Sequence, residues 1–571
     1  MGIPFFFSSL ASRHDLVVPP QSVLQPDVLA FDYNCLIHTV AQSVARASHA
    51  TTEAQLHREV LKGISRYTTD IVVAVKPKRV YVAIDGVPPV AKLLQQRKRR
   101  FMAILERSYK GGEGSQAAGS ATRLWTSNVV TPGTAFMQRL HAYLSKELPR
   151  VSPHLEFSSW NEPGEGEHKI FRWLAAAFGT PPSTSALPSV MIYGMDADMI
   201  LLSMLHCVHP QRQRCSVCLL RERQESMPQT GGGEGQASLF ADFDVVSIER
   251  VMAAVLPRLG RHLDPQTAVI NYVLLAALMG NDFLPPLSYL KIRAPGDGRG
   301  RPGMERLVEL AGPLLSSGDS FARWETSSGT NSGHVNFAAL LPLVADLSRM
   351  EDQRMQEAYT DYLQPPRRPR PGDTAAEHRW KHLPLLLEEH QEVRLVDPTR
   401  PGWRLQYQSC LFPRGTDPEA VLREYASGLE WVMRYYITNT APAEEWSFPF
   451  CYSPTAQALH HFLLKQTGQA VASLDSSYKL PFTITPELQL LAVTPPGSKS
   501  ILSAAQRRVM DDVEHRFMFP DSFRLHTWLK GVAWECCPQL PPLDLPRLHA
   551  AVERLAAKKT AKNVSSNMHG V

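Results

Sequence analysis

The chain has 571 residues, 44% of them hydrophobic and 20% charged, and a formal net charge of +5. That length buries a large core and suggests two to four domains or one elaborated enzyme domain. The composition excludes a disordered or fibrous protein, and the mild charge neither demands nor excludes nucleic acid, because a local basic patch outweighs the total. The eight cysteines, at positions 35, 207, 215, 218, 410, 451, 536 and 537, are scattered, which speaks against a secreted disulfide scaffold and for a reducing compartment. Cys215-Ser-Val-Cys218 has zinc-like spacing, but no second Cys/His pair follows at a suitable distance. The longest largely apolar run, Ala268 to Met279, is too short for a bilayer, Phe5-Phe-Phe7 lacks a preceding basic region, and Phe6 stands where N-myristoylation asks for Ser or Thr. A soluble, unsecreted protein without a membrane partner is expected.

In chain order, Val28 to Phe31, Arg79 to Ile84, Val190 to Tyr193 and Ser216 to Leu220 are short apolar runs, each ended by turn or charged residues and alternating with helical patterns. The alternation predicts an α/β fold: a largely parallel central sheet flanked by helices over residues 1–303. Gly-rich stretches around 111–120, 231–238 and 294–303 read as surface loops. A helical, variable connector is expected over 304–420, broken by the exposed Pro/Arg stretch 364–372, which cannot continue a helix. A second dense region, rich in aromatics and Pro, covers 421–557, and a basic tail spans 558–571.

Four separated places set carboxylates just beyond an apolar element: Phe31-Asp32, Ile84-Asp85-Gly86, Tyr193-Gly-Met-Asp196-Ala-Asp198 and Leu278-Met-Gly-Asn-Asp282. The carboxyl ends of parallel strands share one edge, where the crevice of such sheets lies, so these acids converge there. A fifth place, Pro163-Gly-Glu165-Gly-Glu167-His-Lys169, puts two glutamates in the turn leading into the helix 170–178. Phosphodiester cleavage through two metal ions needs such a cluster, because repelling carboxylates crowd together stably only when divalent cations neutralise them. Taken singly, each acid could equally be a helix cap or a dipole partner. The Asp-x-Asp and Glu-x-Glu pairs argue against that, since adjacent like charges cost energy without a cation.

Lys92, Gln96, Arg99 and Arg100 are spaced i, i+4, i+7 and i+8, which sets all four on one side of a helix. Two guanidinium forks, an ammonium and an amide donor suit a terminal phosphate dianion. Arg97 and Lys98 point elsewhere, into solvent. His38 falls on a helix starting near Asn34, where it could stack on a base or equally serve as a core or capping residue.

Several stretches together resemble the XRN 5′→3′ exoribonucleases, within the flap-endonuclease-like (PIN-like) nuclease superfamily. They are Met1-Gly-Ile-Pro4, Phe31-Asp-Tyr-Asn-Cys-Leu-Ile-His38, Ile84-Asp-Gly-Val-Pro-Pro89, Ala91-Lys-Leu-Leu-Gln-Gln-Arg-Lys-Arg-Arg-Phe101, Thr131-Pro-Gly-Thr134, Pro163 to Lys169, Tyr193 to Asp198 and Gly280-Asn-Asp-Phe-Leu-Pro285. Gly428 to Tyr436, Trp446 to Pro454, Leu491 to Ser498 and Phe519-Pro520 resemble the family's second stretch, which packs on the first to complete the nuclease. The resemblance implies that Asp32, Asp85, Glu165, Glu167, Asp196, Asp198 and Asp282 are the catalytic, metal-binding acids for Mg²⁺ or Mn²⁺, two ions in number. It implies Lys92, Gln96, Arg99 and Arg100 as the 5′-phosphate pocket, His38 with Trp446 as base-stacking partners, and Pro89 as the wedge against duplex. Cys35 stands where the family usually has Gly, and Ser288-Tyr-Leu-Lys291 replaces its usual Pro/His-containing continuation; neither change removes a charge from the site.

The implied activity is processive hydrolysis of single-stranded, 5′-monophosphorylated RNA to mononucleotides, in RNA decay or processing, by a monomer. The zinc knuckle of many nuclear members is missing, which leans toward the cytoplasm over the nucleus. A structure-specific flap-type DNA endonuclease is the rival enzyme reading, and a catalytically inactive RNA-binding scaffold the rival of another class.

Overall fold

The strand-forming runs are apolar on both faces, as strands sandwiched between helix layers must be. In the computed structural model, which describes residues 6–111, 124–178, 187–223, 242–291, 303–327, 330–364, 374–386, 394–442, 446–466 and 480–555, they form one seven-stranded sheet. Its strands are β1 (Val17–Val18), β2 (Val28–Asp32), β3 (Arg79–Ala83), β4 (Leu155–Ser158), β5 (Ser189–Tyr193), β6 (Ser216–Glu222) and β7 (Phe243–Ser247), in the order β1-β7-β6-β5-β2-β3-β4. The pairs β2–β3, β2–β5, β3–β4 and β5–β6 are parallel, while β6–β7 and β1–β7 are antiparallel. Residues 1–303 therefore hold the largely parallel sheet, with three strands (β1, β4 and β7) beyond the four apolar runs. The Gly-rich stretches, the Pro/Arg stretch beyond Gln364, Met1 to Pro4 and the basic tail lie outside the described residues, except that Gly111 ends one helix and Gly303 opens another.

Strand side chains alternate between two cores. Leu29, Phe31, Val80, Val82, Met191 and Tyr193 enter the one built with α1 (Tyr33–Ala47), α2 (Glu53–Val75) and α4 (Ala135–Val151), α3 (Val90–Gly111) lying between α2 and α4 in the chain. Val28, Ala30, Tyr81, Ala83, Val190 and Ile192 enter the other, against α5 (Gly166–Ala177), α6 (Asp198–Val208) and α7 (Pro265–Leu278). Cys215 belongs to the second core and Cys218 to the first, so the two thiols lie on opposite faces of the sheet and cannot share a metal.

Residues 304–420 carry helices that include α8 (Phe337–Tyr362), and also an antiparallel hairpin of β8 (Ala322–Ser327) and β9 (Thr330–Val335). Its Ser/Gly/Thr-rich sequence gives no apolar alternation. It forms because it packs on α9 (Pro418–Thr438): a Cβ on Gly333 would lie 2.3 Å from Ile437 Cδ1. α9 buries Trp431, Tyr435 and Tyr436 in the same core as α5 to α7, at about 1.5–3 kcal/mol for each large apolar side chain, which joins the second region to the first. Cys451 and Cys537 form a disulfide across Cα atoms 6.0 Å apart, a single bridge and not a dense scaffold; the other six cysteines are free.

No helix among the described residues is long and apolar enough to cross a membrane; Ala268 to Met279 lies almost wholly in α7, buried throughout.

Candidate active site

The chain leaves β2 for β3 and β4 on one side and returns to β5 and β6 on the other, so the crevice opens beyond the carboxyl ends of β2 and β5, where their outgoing connections diverge. Asp32 ends β2, Asp85 follows β3 by two residues, and Asp196 and Asp198 follow β5. Asp32 and Glu165 occupy helix N-cap positions, yet neither side chain caps its helix. The bland reading of these two acids as caps therefore fails, and their carboxylates face the crevice instead. A Cβ placed on Gly166 would lie 3.0 Å from Asp32 Oδ1 and 3.2 Å from Asp85 Oδ1, so a side chain here would crowd both carboxylates. Gly86 is needed likewise, since a Cβ would lie 1.7 Å from the Glu162 carbonyl oxygen.

Asp85 is held by three hydrogen bonds. Its Oδ1 accepts from the Gly166 N–H at 2.6 Å and its Oδ2 from Asn34 Nδ2 at 2.8 Å, while its own N–H donates to Asn34 Oδ1 at 3.1 Å. Lys169 ties the end of β3 to α5, its Nζ donating to the carbonyls of Ile84 at 2.8 Å and Ser159 at 2.9 Å. Arg221 donates to the Met195 carbonyl and, at 3.3 Å, to the Asp196 carbonyl, bracing the turn that carries Asp196 and Asp198. Glu165 Oε1 accepts from the Tyr435 hydroxyl at 2.8 Å, so α9 reaches into the cluster. His168 stacks on Tyr435 with ring centroids 3.8 Å apart and pairs with Asn439 at 3.0 Å. None of Asn34, Lys169, Arg221 or Tyr435 had a role from the sequence, although three of them lie inside quoted motifs.

The seven acids meet. Burial, then the charges of Asp85, Asp196 and Glu165, push Asp32 well above the usual carboxylate range. Glu167 rises for the same reasons, through Glu165, Asp196 and Asp32, and Glu165 is raised mainly by burial. Asp198 is pushed up to about 7 by burial and then by Asp282, so its charge costs on the order of 4 kcal/mol more here than in water. Asp198 Oδ1 is buried with no hydrogen-bond partner. Crowded, oxygen-only, incompletely satisfied carboxylates fit hard divalent cations such as Mg²⁺ or Mn²⁺. Glu165, Glu167 and His168 bring ligand atoms within 4.8 Å of one another, as do Asp512, Glu514 and His515 far along the chain, the latter two acids exposed.

Lys92 occupies the middle of this charge. Its Nζ pairs with Asp282 at 2.7 Å and with Glu165. Burial works against the ammonium, but Asp282, Glu165 and Glu167 outweigh it and hold it well above the ordinary lysine range. Asp282 is held low in turn: Lys92 overcomes its burial. Asp282 also accepts from Gln95 Nε2 at 3.2 Å.

The other members of the basic face lie one and two turns further along α3. Gln96 is half-buried, Arg99 exposed, and Arg100 half-buried with an Nε that has no partner. Burial, reinforced by Arg99, brings the Arg100 guanidinium down to about 9. His38, half-buried on α1, is driven down to about 4 by burial and then by Arg99 and Arg100, which leaves a neutral ring beside the basic face.

Expectations for four residues are corrected. Arg97 does point away from the face, but it is buried at 4% exposure, donating to the carbonyls of Met518 and Pro541 rather than to water. Lys98 is half-buried, and burial lowers it to about 8. Trp446 is 5% exposed, donates to Glu424 at 3.1 Å and packs on Trp431 and over Gly428, which leaves no open face for a base. Pro89 is buried at the start of α3, its carbonyl accepting from the Leu93 N–H at 3.0 Å, so it presents no wedge surface.

Residues 1–223 match the family model of the XRN 5′-3′ exonuclease N-terminus, and residues 327–571 match that of the Xrn1 helical domain. The sheet with its edge of acids is thus a PIN-like nuclease core. The chain belongs to the XRN family of 5′→3′ exoribonucleases. Across its whole length it is 24% identical to a 5′-3′ exoribonuclease 2 homolog of Caenorhabditis elegans, covering 72% of that protein, and 24% identical to one of Drosophila melanogaster, covering 73%. It is 24% identical to 5′-3′ exoribonuclease 1 of Homo sapiens, of which it spans 35%.

Proposed function

We propose that this chain removes nucleotides one at a time from the 5′-monophosphate end of single-stranded RNA, with two Mg²⁺ or Mn²⁺ ions among Asp32, Asp85, Glu165, Glu167, Asp196, Asp198 and Asp282. One observation carries the reading: α3 delivers Lys92 into the buried acids and Gln96, Arg99 and Arg100 just beyond them, so a cluster suited to cations adjoins a face suited to a phosphate. When bound, the cations supply an activated water and neutralise the leaving oxygen.

The chain's own residues do the rest. Arg99, Arg100 and Gln96 donate to the terminal phosphate, a dianion with more free oxygens than an internal diester. Lys92 moves between acids and phosphate as the strand arrives. His38, uncharged at neutral pH, offers its ring to the leading bases. Asn34, the Gly166 N–H and Tyr435 keep Asp85 and Glu165 from turning away while the strand advances, and repeated advance by one base gives processivity. Residues 1–303 carry the chemistry, 304–420 brace it, and 421–557 complete it. Action as a monomer, in the cytoplasm, in RNA decay or processing belongs to the same proposal; light scattering and cell fractionation check it.

The deciding experiment uses labelled RNA and DNA, each bearing a 5′-phosphate or a 5′-hydroxyl, with Mg²⁺. Mononucleotide release from 5′-phosphorylated RNA is expected. Equal cleavage of hydroxyl-ended DNA would favour the flap-type endonuclease, and no Mg²⁺-stimulated release at all would favour an inactive scaffold.

A further inference from the structure

The basic face of α3 does not stand alone. α10 (Ala456–Gln466) precedes a second buttress, α11 (Pro486–Val493), whose Leu488, Leu490, Leu491 and Val493 share a core with Val90 and Leu93 of α3. In the middle of that apolar helix stands a glutamine, Gln489, with no exposed surface. A leucine would pack there without stranding a polar group; the amide is useful only for what it bonds. Its Nε2 donates to Gln96 Oε1 at 3.0 Å, and its own Oε1 is buried without a partner. The bond turns the Gln96 side-chain oxygen toward Gln489, so what Gln96 turns toward the face is its NH₂ group, a donor.

Arg100 is held by a second, parallel arm. Its NH1 donates to both the carbonyl and the side-chain oxygen of Asn128, each at 3.3 Å. Asn128 Nδ2 donates in turn to Ser498 Oγ at 2.8 Å, with both residues buried. The guanidinium is thus fixed through one nitrogen, while its Nε is buried without a partner. Ser498 and Gln489 come from the same short stretch, 485–502, nearly four hundred residues along the chain from α3.

Phosphate oxygens only accept hydrogen bonds, whereas a hydroxyl end both donates and accepts. A face fixed as donors throughout discriminates between them; a Gln96 amide free to rotate does not, because either end could meet a hydroxyl. We infer that Gln489, with Ser498 acting through Asn128, is a positioning residue that sets the preference for a phosphorylated 5′ end by fixing Gln96 and Arg100 as donors. The inference rests on the proposed terminal-phosphate face and names what orients it.

The test measures kcat and KM separately for one RNA sequence with a 5′-phosphate and with a 5′-hydroxyl, in the wild type, Gln489→Met and Gln489→Glu. In Gln489→Met, of similar volume, KM for the phosphorylated RNA should rise about tenfold, the worth of one ordered hydrogen bond, with kcat held within twofold and the hydroxyl substrate unaffected. Gln489→Glu should lose more, because a carboxylate accepts only and turns the Gln96 carbonyl oxygen toward the phosphate. Ser498→Ala, on the other arm, should move the same ratio in the same direction by a smaller factor and covers the case in which the Gln489 variants fail to fold. An unchanged phosphate-to-hydroxyl ratio in folded variants overturns the inference while leaving the basic face intact. A wild type indifferent to the end group overturns the face itself, and this inference with it.

Discussion

The acid cluster and the basic face adjoin, yet they are built on opposite plans. The acids are placed mainly by the sheet: β2, β3 and β5 end at one edge, the Gly166 N–H, Asn34 and Arg221 orient the acids and turns beyond them, and Asp282 follows α7, all within residues 1–303. The basic face is a single helix side whose orientation is imposed from elsewhere, by Gln489 and Ser498. Tyr435 is the exception that ties the plans together, since it reaches the acids from α9. On the proposed function, the difference teaches that hydrolysis belongs to the nuclease core, while recognition of the RNA end depends on its assembly with the helical region.

The largest expected effect breaks the first plan. Asp196→Ala removes one carboxylate and should cut mononucleotide release by about a thousandfold or more, in the range seen when a group essential to the chemistry is lost, while RNA binding measured by anisotropy is retained. Surviving cleavage would show the cluster misassigned. Next, Arg100→Met removes one charged donor from the face and should raise KM for 5′-phosphorylated RNA by about 10- to 100-fold with a smaller change in kcat, since a hydrogen bond to a charged group is worth about 1.5–3 kcal/mol. An equal loss on hydroxyl-ended RNA would mean that Arg100 serves the fold instead of the end group.

The smallest effect is on stability. In the metal-free chain Asp32, Glu167 and Asp198 hold protons that the unfolded chain has already lost, because their folded values are raised, that of Asp198 from 3.8 to about 7. Stability should therefore fall as pH climbs from about 4 to about 7, by a few degrees in Tm, and saturating Mg²⁺ should remove the slope. A Tm that rises over this interval in chelator would mean that the carboxylates are not crowded.

Much of this was legible in the sequence because both plans leave local marks. Continuous apolar runs ending in Asp announce buried parallel strands and their acid edge, and the 92, 96, 99, 100 spacing announces one helix side. The missed strands carry weaker marks: β4 reads Leu-Glu-Phe-Ser, half polar because it lies at the sheet's edge, and β1 is two residues long. Spacing also shows that Arg97 leaves the basic face, but not that carbonyls more than four hundred residues onward receive it. Nor can an aromatic in a motif declare whether it is a stacking platform or core: Trp446 is core because Gly428 and Trp431 take its faces. Gln489 looks like one polar residue on an apolar helix until Gln96 is seen beside it.

Where divalent cations bind decides whether the seven acids form a metal centre. Crystals soaked in Mn²⁺ and measured at its absorption edge should show anomalous density among Asp32, Asp85, Glu165, Glu167, Asp196, Asp198 and Asp282, with Lys92 displaced from Glu165 and Asp282. Density at Asp512, Glu514 and His515 alone, with Lys92 still paired in the cluster, would contradict it.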